Sequence, residues 1–218
     1  MHKDIPMELP IIHRSIMADA DWHIDALHPF GSAWFAHPCE ILREPVTGQS
    51  LMQATTVRVV ATSSTLWVRY DCADVDPWAT MRQHDEPIYT EEVVELFIGR
   101  GSERPTAYYE LQVNPLNTRF DGIITNPDEI RATMHLDTSW DPPWQSWVQC
   151  DAAGWSAVMA VPWTTLGCAD ATGTWRLNFM RIDRNRETGA SELSAWSPTL
   201  RIPADFHIPS RFGIMVVV

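Results

Sequence analysis

The feature that most constrains this chain is its hydrophobic rhythm. Short apolar runs, many alternating every second residue, are broken by turn residues, and 16 prolines are spread throughout. A period of two belongs to strands, and proline at this frequency interrupts long helices. The clearest hairpin is TTVRVVAT followed by SSTLWVRYDC, where Val57, Val59 and Ala61 share a face and Ser63 and Ser64 mark the turn. In EEVVELFIG the two faces are Val94, Leu96, Ile98 and Val93, Glu95, Phe97. Such a strand is buried on both sides and carries one carboxylate into the interior.

The next segment, AYYELQVNP, divides into an apolar face of Tyr109, Leu111 and Val113 and a polar face of Tyr108, Glu110, Gln112 and Asn114. TRFDGII continues or returns that strand. WVQCDAAGWSAVMAVPW turns at 152–154, where Gly154 supplies a positive φ. PWTTLG reads as one short helical turn between Pro162 and Gly167, and WRLNFMRID and RFGIMVVV are further strands. The expected fold is all-β: a two-sheet antiparallel β-sandwich with at most short helical turns. One domain spans 1–218, with 1–20 as an N-terminal extension packed on it.

Composition narrows the partners. A net charge of −12 repels polyanions, so neither nucleic acid nor a membrane surface is expected. MHKDIPMELPIIHRSIMADADW holds no apolar stretch long enough for a signal peptide or a membrane span. Cys39, Cys72, Cys150 and Cys168 are isolated, form no CxxC pair and read as buried free thiols. Both observations lead to a cytoplasmic expectation.

No GxSxG, HExxH or glycine-rich phosphate loop is present. Glu95 and Glu110 can be posed as a glycosidase pair, which requires a defined separation across a cleft. Glu95 needs donors if buried, either an internal arginine such as Arg69 or Arg181 or the hydroxyls of a ligand. Before it, DCADVDPWATMRQHDEPIY places Asp74 and Asp76 at alternate positions, a pair with oxygen ligands for calcium. Trp78, Arg82, His84 and Asp85 make this loop rich in groups that contact ligands. Of the 11 tryptophans, Trp67, Trp147, Trp155 and Trp175 belong to strands and read as core. Trp140 and Trp144 suit a rim, and Trp22 and Trp34 staple the N-terminal segment.

ADWHIDALHPFGSAW, TLWVRYDCADVDPWA, RQHDEPIYTEEVVELFI, YYELQVNPLNTRFD, VPWTTLG, WRLNFMRIDR, SAWSP and the terminal RFG follow one another along the chain. Together they resemble carbohydrate-binding module family nine and its relatives in the DOMON-like superfamily. The resemblance implies a sandwich that stacks a sugar ring between two aromatics, with calcium in a structural part. By motif, Tyr89 stands where the family has a tryptophan platform, Glu95 matches its hydrogen-bonding carboxylate, and Trp196 is the opposing platform. Asp76, Gln112, Asn114 and Arg181 fall near its polar contacts. The expected binding set is therefore Tyr89, Glu95, Trp196, Asp76, Trp78, Arg82, Asp85, Gln112, Asn114 and Arg181, for a mono- or oligosaccharide, without catalysis and without a required cofactor. The alternatives are a glycoside-acting enzyme, a haem-binding oxidoreductase subunit using the scattered Met and His residues, or a scaffold whose site has decayed.

Overall fold

The structure, a computed structural model, describes residues 8–218. Among these residues it has thirteen strands and only short 3-10 turns besides. In chain order the strands are β1 (Ile11–Arg14), β2 (Cys39–Ile41), β3 (Thr55–Ala61), β4 (Thr65–Ala73), β5 (Val93–Arg100), β6 (Ala107–Val113) and β7 (Arg119–Thr125). They continue as β8 (His135–Asp137), β9 (Gln145–Asp151), β10 (Gly154–Pro162), β11 (Gly173–Arg184), β12 (Ser191–Ala195) and β13 (Gly213–Val217). One sheet runs β1-β13-β11-β5-β6-β7-β8 with β12 also paired to β11, and the other runs β2-β3-β4-β10-β9. This is the expected sandwich.

The alternation read from sequence sorts the side chains as it should. Val94, Leu96, Ile98, Leu111, Val113, Leu177 and Phe179 of the large sheet meet Val57, Val59, Val68, Tyr70, Ala157 and Met159 of the small one in the main core. TRFDGII returns as β7, antiparallel to β6. Gly154 opens β10 at φ 144, and a Cβ there would stand 2.0 Å from the Cys72 carbonyl oxygen, so only glycine fits. PWTTLG forms a hydrogen-bonded turn without a helical segment.

Three expectations change. Part of segment 1–20 belongs to the sheet itself, because Ile11–Arg14 pairs parallel with β13, while residues 1–7 lie outside the described residues. Cys72 and Cys168 are buried free thiols, but Cys39 and Cys150 are exposed. Trp144 is buried, not at a rim, and donates its Nε1 hydrogen to Asp121 Oδ2 at 2.9 Å.

A second apolar cluster lies on the outer face of the large sheet. Phe97, Tyr108, Ile124 and Met180 are covered there by Phe206 and Phe212 from the 200–212 segment, with Met134 and Leu136 beside them. Two covering segments, 126–137 and 200–212, thus roof this face, and the candidate site lies beneath them.

Candidate functional site

The floor of the site follows from β-sheet register. Glu95 on β5 stands opposite Gln112 on β6 and Met180 on β11, and Gln112 stands opposite Phe120 on β7. Cross-strand partners share a face, so the single carboxylate of β5 meets the polar face of β6 on the outer side of the sheet. Glu110, two residues from Gln112, points the same way and accepts a 2.5 Å hydrogen bond from Gln112 Nε2. On β7, Gly122 occupies the matching position. A Cβ there would come within 2.6 Å of Leu136 Cδ1, so its absence lets β8 close against the floor.

A cavity of about 770 Å³ opens over this floor, within the roughly 300–1,000 Å³ range of small-ligand sites. Tyr89, Glu95, Glu110 and Gln112 line it together with Ile124, Leu136, Ile182 and Leu193. Arg131, Ile202, Pro203, Phe206 and His207 close it from the two covering segments. Tyr89 sits in a one-turn 3-10 segment, Ile88–Thr90, anchored by the fully buried Ile88. Its ring remains 39% exposed and meets Phe120 edge-on, 5.6 Å between centroids.

Glu95 is only 2% exposed. Neither arginine proposed as its internal partner reaches it: Arg69 pairs with Asp71 and Arg181 with Asp74. Among the described residues no side-chain hydrogen bond reaches its carboxyl, and Gln112 Oε1 is buried without a partner. Burial pushes the Glu95 carboxyl well above the usual range, and Glu110 pushes it further. Burial likewise raises Glu110 to about 7, held back by the Gln112 hydrogen bond and by Arg131. His207 is driven well below its ordinary value by burial and Arg131, so its ring is neutral. Its Nδ1 lies 2.8 Å from the Tyr108 hydroxyl. The floor therefore offers a protonated carboxyl, a second carboxyl titrating near neutrality and a free amide oxygen, beneath one exposed aromatic face.

The other expected binding residues lie elsewhere, and strand parity explains two of them. Met180 and Ile182 take the outward positions of β11, which sends Arg181 to the opposite face. There it donates to the Thr55 hydroxyl, the Ala73 carbonyl and Asp74. Trp196 likewise turns inward, 5% exposed and packed on Phe179, with its Nε1 hydrogen given to Glu40. It does not line the cavity with Tyr89, and among the described residues no second exposed aromatic does. Asn114 is consumed by local structure: its amide donates to the Met81 carbonyl, and its oxygen accepts from the backbone of Leu116 and Thr118. Asp76 pairs with Arg186, which also covers the Trp78 ring, while Trp78 Nε1 donates to the Arg184 carbonyl. These contacts tie the 74–78 loop to the turn after β11. Arg82 is exposed, with its backbone N–H on Glu86, and Asp85 lies beside His84, away from the cavity lining.

Sequence reasoning missed Arg131, His207, Phe206 and the 202–204 segment as cavity residues, and left Glu110 out of the binding set. The alternation signal was available for Glu110, which shares Gln112's face. For the loop residues no periodic signal exists.

The expected metal pair, Asp74 with Asp76, is not the grouping found. Asp74 joins Glu92 and Asp183, all buried, with one oxygen of each within 4.8 Å of the others. Arg181 lies 2.5 Å from Asp74 and 3.3 Å from Asp183. Burial, then Asp74, pushes Glu92 up to about 9. Three carboxyls against one guanidinium leave excess negative potential, and an all-oxygen set suits a hard cation. The residues fit calcium.

Several comparisons place this geometry. No protein-family model matches the sequence. A protein of Arthroderma benhamiae named as an extracellular protein is 27% identical over 191 residues, covering 79% of this chain and 82% of its own. That relative overturns the cytoplasmic expectation. A crystal structure of a Bacteroides uniformis protein proposed to bind carbohydrate matches with a TM-score of 0.74 at 16% identity, over 97% of this chain and 100% of its own. A family 9 carbohydrate-binding module of Caldicellulosiruptor kristjanssonii in complex with cellotriose matches at 0.64 and 13% identity, over 95% and 93% of the two chains. Its complex with glucose matches at 0.68 and 12%, over 96% of each. In fold, this chain is a carbohydrate-binding-module family 9-like β-sandwich.

Proposed function

We propose that the cavity on the outer face of the large sheet binds a sugar ring without chemical turnover. The observation that carries this reading is the unmet hydrogen-bonding demand of the floor: a buried Gln112 oxygen lacks a protein partner beneath the exposed Tyr89 ring, and the Glu95 carboxyl lines the cavity beside it. Buried acceptors left unpaired cost roughly 1–3 kcal/mol each, which a ligand rich in hydroxyl donors recovers. The C–H face of the same ring packs on Tyr89, and the aliphatic walls exclude water from these hydrogen bonds. Glucose and cellotriose in the two family 9 complexes support sugar as the ligand class. The ring is held by one aromatic plus an aliphatic wall, not between two aromatics.

Asp74, Glu92 and Asp183 would hold calcium, which would neutralise their charge and join the ends of β4, β5 and β11. Its part is structural. Added calcium should raise the melting temperature, chelation should lower it, and Glu92→Gln should remove the response. An unchanged melting temperature in calcium and in chelator contradicts this part. The extracellular relative supports a setting outside the cell, where calcium is plentiful.

The binding test is calorimetric titration with glucose and cello-oligosaccharides against wild type, Tyr89→Ala and Gln112→Ala. Binding by wild type that weakens at least tenfold in both variants supports the reading. No heat across a broad sugar panel rejects it, and turnover of a chromogenic glycoside that is lost in Glu95→Gln replaces it with the enzyme reading.

A further inference from the structure

A different group of side chains sits on the opposite face of β7. Phe120 and Ile124 point outward with the cavity, so Asp121 points inward, where it is fully buried. Its Oδ2 lies 2.9 Å from His84 Nε2 and accepts the Trp144 indole hydrogen at 2.9 Å. Its Oδ1 is also buried and has no partner. A fully buried carboxylate with one oxygen unmet asks for a cation or a donor. Asp141, from the loop before β9, brings its carboxylate to the same point, so that His84, Asp121 and Asp141 each place one ligand atom within 4.8 Å of the others. Asp85 adds a further carboxylate, 3.5 Å from His84 Nε2, and its backbone is held there at φ 63.

We infer that His84, Asp121 and Asp141 form a site for a zinc-class divalent transition metal. The donor set decides the class. Imidazole nitrogen with carboxylate oxygen favours zinc and its neighbours over calcium, which takes oxygen alone. Bonds of about 2.0–2.2 Å set tetrahedral ligand atoms about 3.3–3.6 Å apart. The His84–Asp121 separation of 2.9 Å is a hydrogen-bond distance, and a metal would open it by about half an ångström. The other formal cation facing the group is Arg119, whose guanidinium lies over the Trp144 ring and donates to the Trp144 carbonyl. It leaves the Asp121 oxygen unmet. A metal here ties together three segments distant in sequence: the 74–92 loop, β7 and the 138–144 loop. The first of these carries Tyr89, and its ring rests on Phe120, the residue before Asp121. The ion would hold in place the segment that presents the aromatic face of the cavity.

The test is metal uptake by chelator-stripped full-length protein, in millimolar calcium so that oxygen-only sites are filled, followed by calorimetry and melting temperature with zinc chloride. One zinc per chain at micromolar affinity or tighter is expected, with a rise in melting temperature. His84→Ala and Asp141→Asn should each weaken uptake at least tenfold, and Asp141, being exposed, can be changed without burying a new group. No uptake, or uptake equal in wild type and both variants, overturns the site. Sugar binding is measured separately on the same samples, so loss of the proposed sugar function leaves this result standing.

Discussion

The two outer faces of the sandwich are both covered by irregular chain, and among the described residues the larger cavity lies over the polar floor of the large sheet. On the small sheet, Trp22, Ile24 and Trp34 seal down on Val60 and Val158, with Trp67 and Trp147 stacked alongside at 6.1 Å. The polar side chains of that face, Arg58, Arg69 and Asp71, are paired with one another and covered by Phe30 and Phe35, so the cover acts as a second core. On the large sheet the cover rests on Phe97, Tyr108 and Ile124 but stops short of Glu95, Glu110 and Gln112. Polar groups that could not be satisfied by the cover are left facing an opening. The lesson is that tryptophan count marks the sealed face, while a misplaced carboxylate marks the open one.

The largest effect that would sharpen this contrast is on stability. Trp34 is fully buried and donates to the Pro29 carbonyl, so Trp34→Ala should cost about 3–5 kcal/mol in chemical denaturation while leaving sugar affinity unchanged in the folded fraction. Tyr89→Ala should do the reverse. Its exposed ring contributes little to folding, and the loss should appear as at least a tenfold weaker sugar titration, about 1.4 kcal/mol. Equal stability losses at the two positions would break the distinction between a sealed and an open face.

A third difference is in pH response. Only the large-sheet side of the molecule and its adjoining edge hold carboxyls raised by burial, Glu110 to about 7 and Glu92 to about 9, with Glu95 also well raised. Folded, these groups keep protons that an unfolded glutamate, titrating near 4.5, has released. Each contributes stability that is complete below pH 4.5 and is lost as pH rises through its folded value. In calcium-free buffer the melting temperature should therefore fall by several degrees from pH 5 to pH 9. Glu110→Gln should flatten the part of the fall that ends near 7, and Glu92→Gln the part that runs on to about 9. A melting temperature that rises over this range contradicts the burial argument.

Much of this was legible in the sequence because it rests on periodicity. The alternation of β5 and β6 placed Glu95 and Gln112 on strands, and the antiparallel register that makes them neighbours follows once the strands pair. Tyr89 joins them because only three residues, 90–92, separate it from the strand that carries Glu95. The rest depended on which face a residue takes and on long-range closure. Arg181 and Trp196 were named for their chemistry, but Arg181 sits one position out of phase with the outward face of β11 and Trp196 follows the last outward residue of β12, Ala195. Asp76 and Trp78 found partners at the end of β11 and in the turn after it, and Asn114 in the Met81 carbonyl and the turn that follows it. The short strands β1, β2, β8 and β12 carry too few residues to show a period. The walls built by 126–137 and 200–212 come together through contacts distant in sequence: Asn126 donates to the His207 carbonyl, Arg131 pairs with Asp205, and Glu129 accepts from the Ser210 backbone and hydroxyl across 81 residues. No local pattern encodes such a contact.

The most direct test of the central claim is a crystal structure of the protein grown or soaked with cellotriose. A sugar ring is expected over Glu95 and Gln112 with its C–H face on Tyr89, and a hydroxyl within hydrogen-bonding distance of Gln112 Oε1. A sugar bound instead on the Trp67–Trp147 face, or a cavity that excludes sugar while the protein binds it elsewhere, would contradict it.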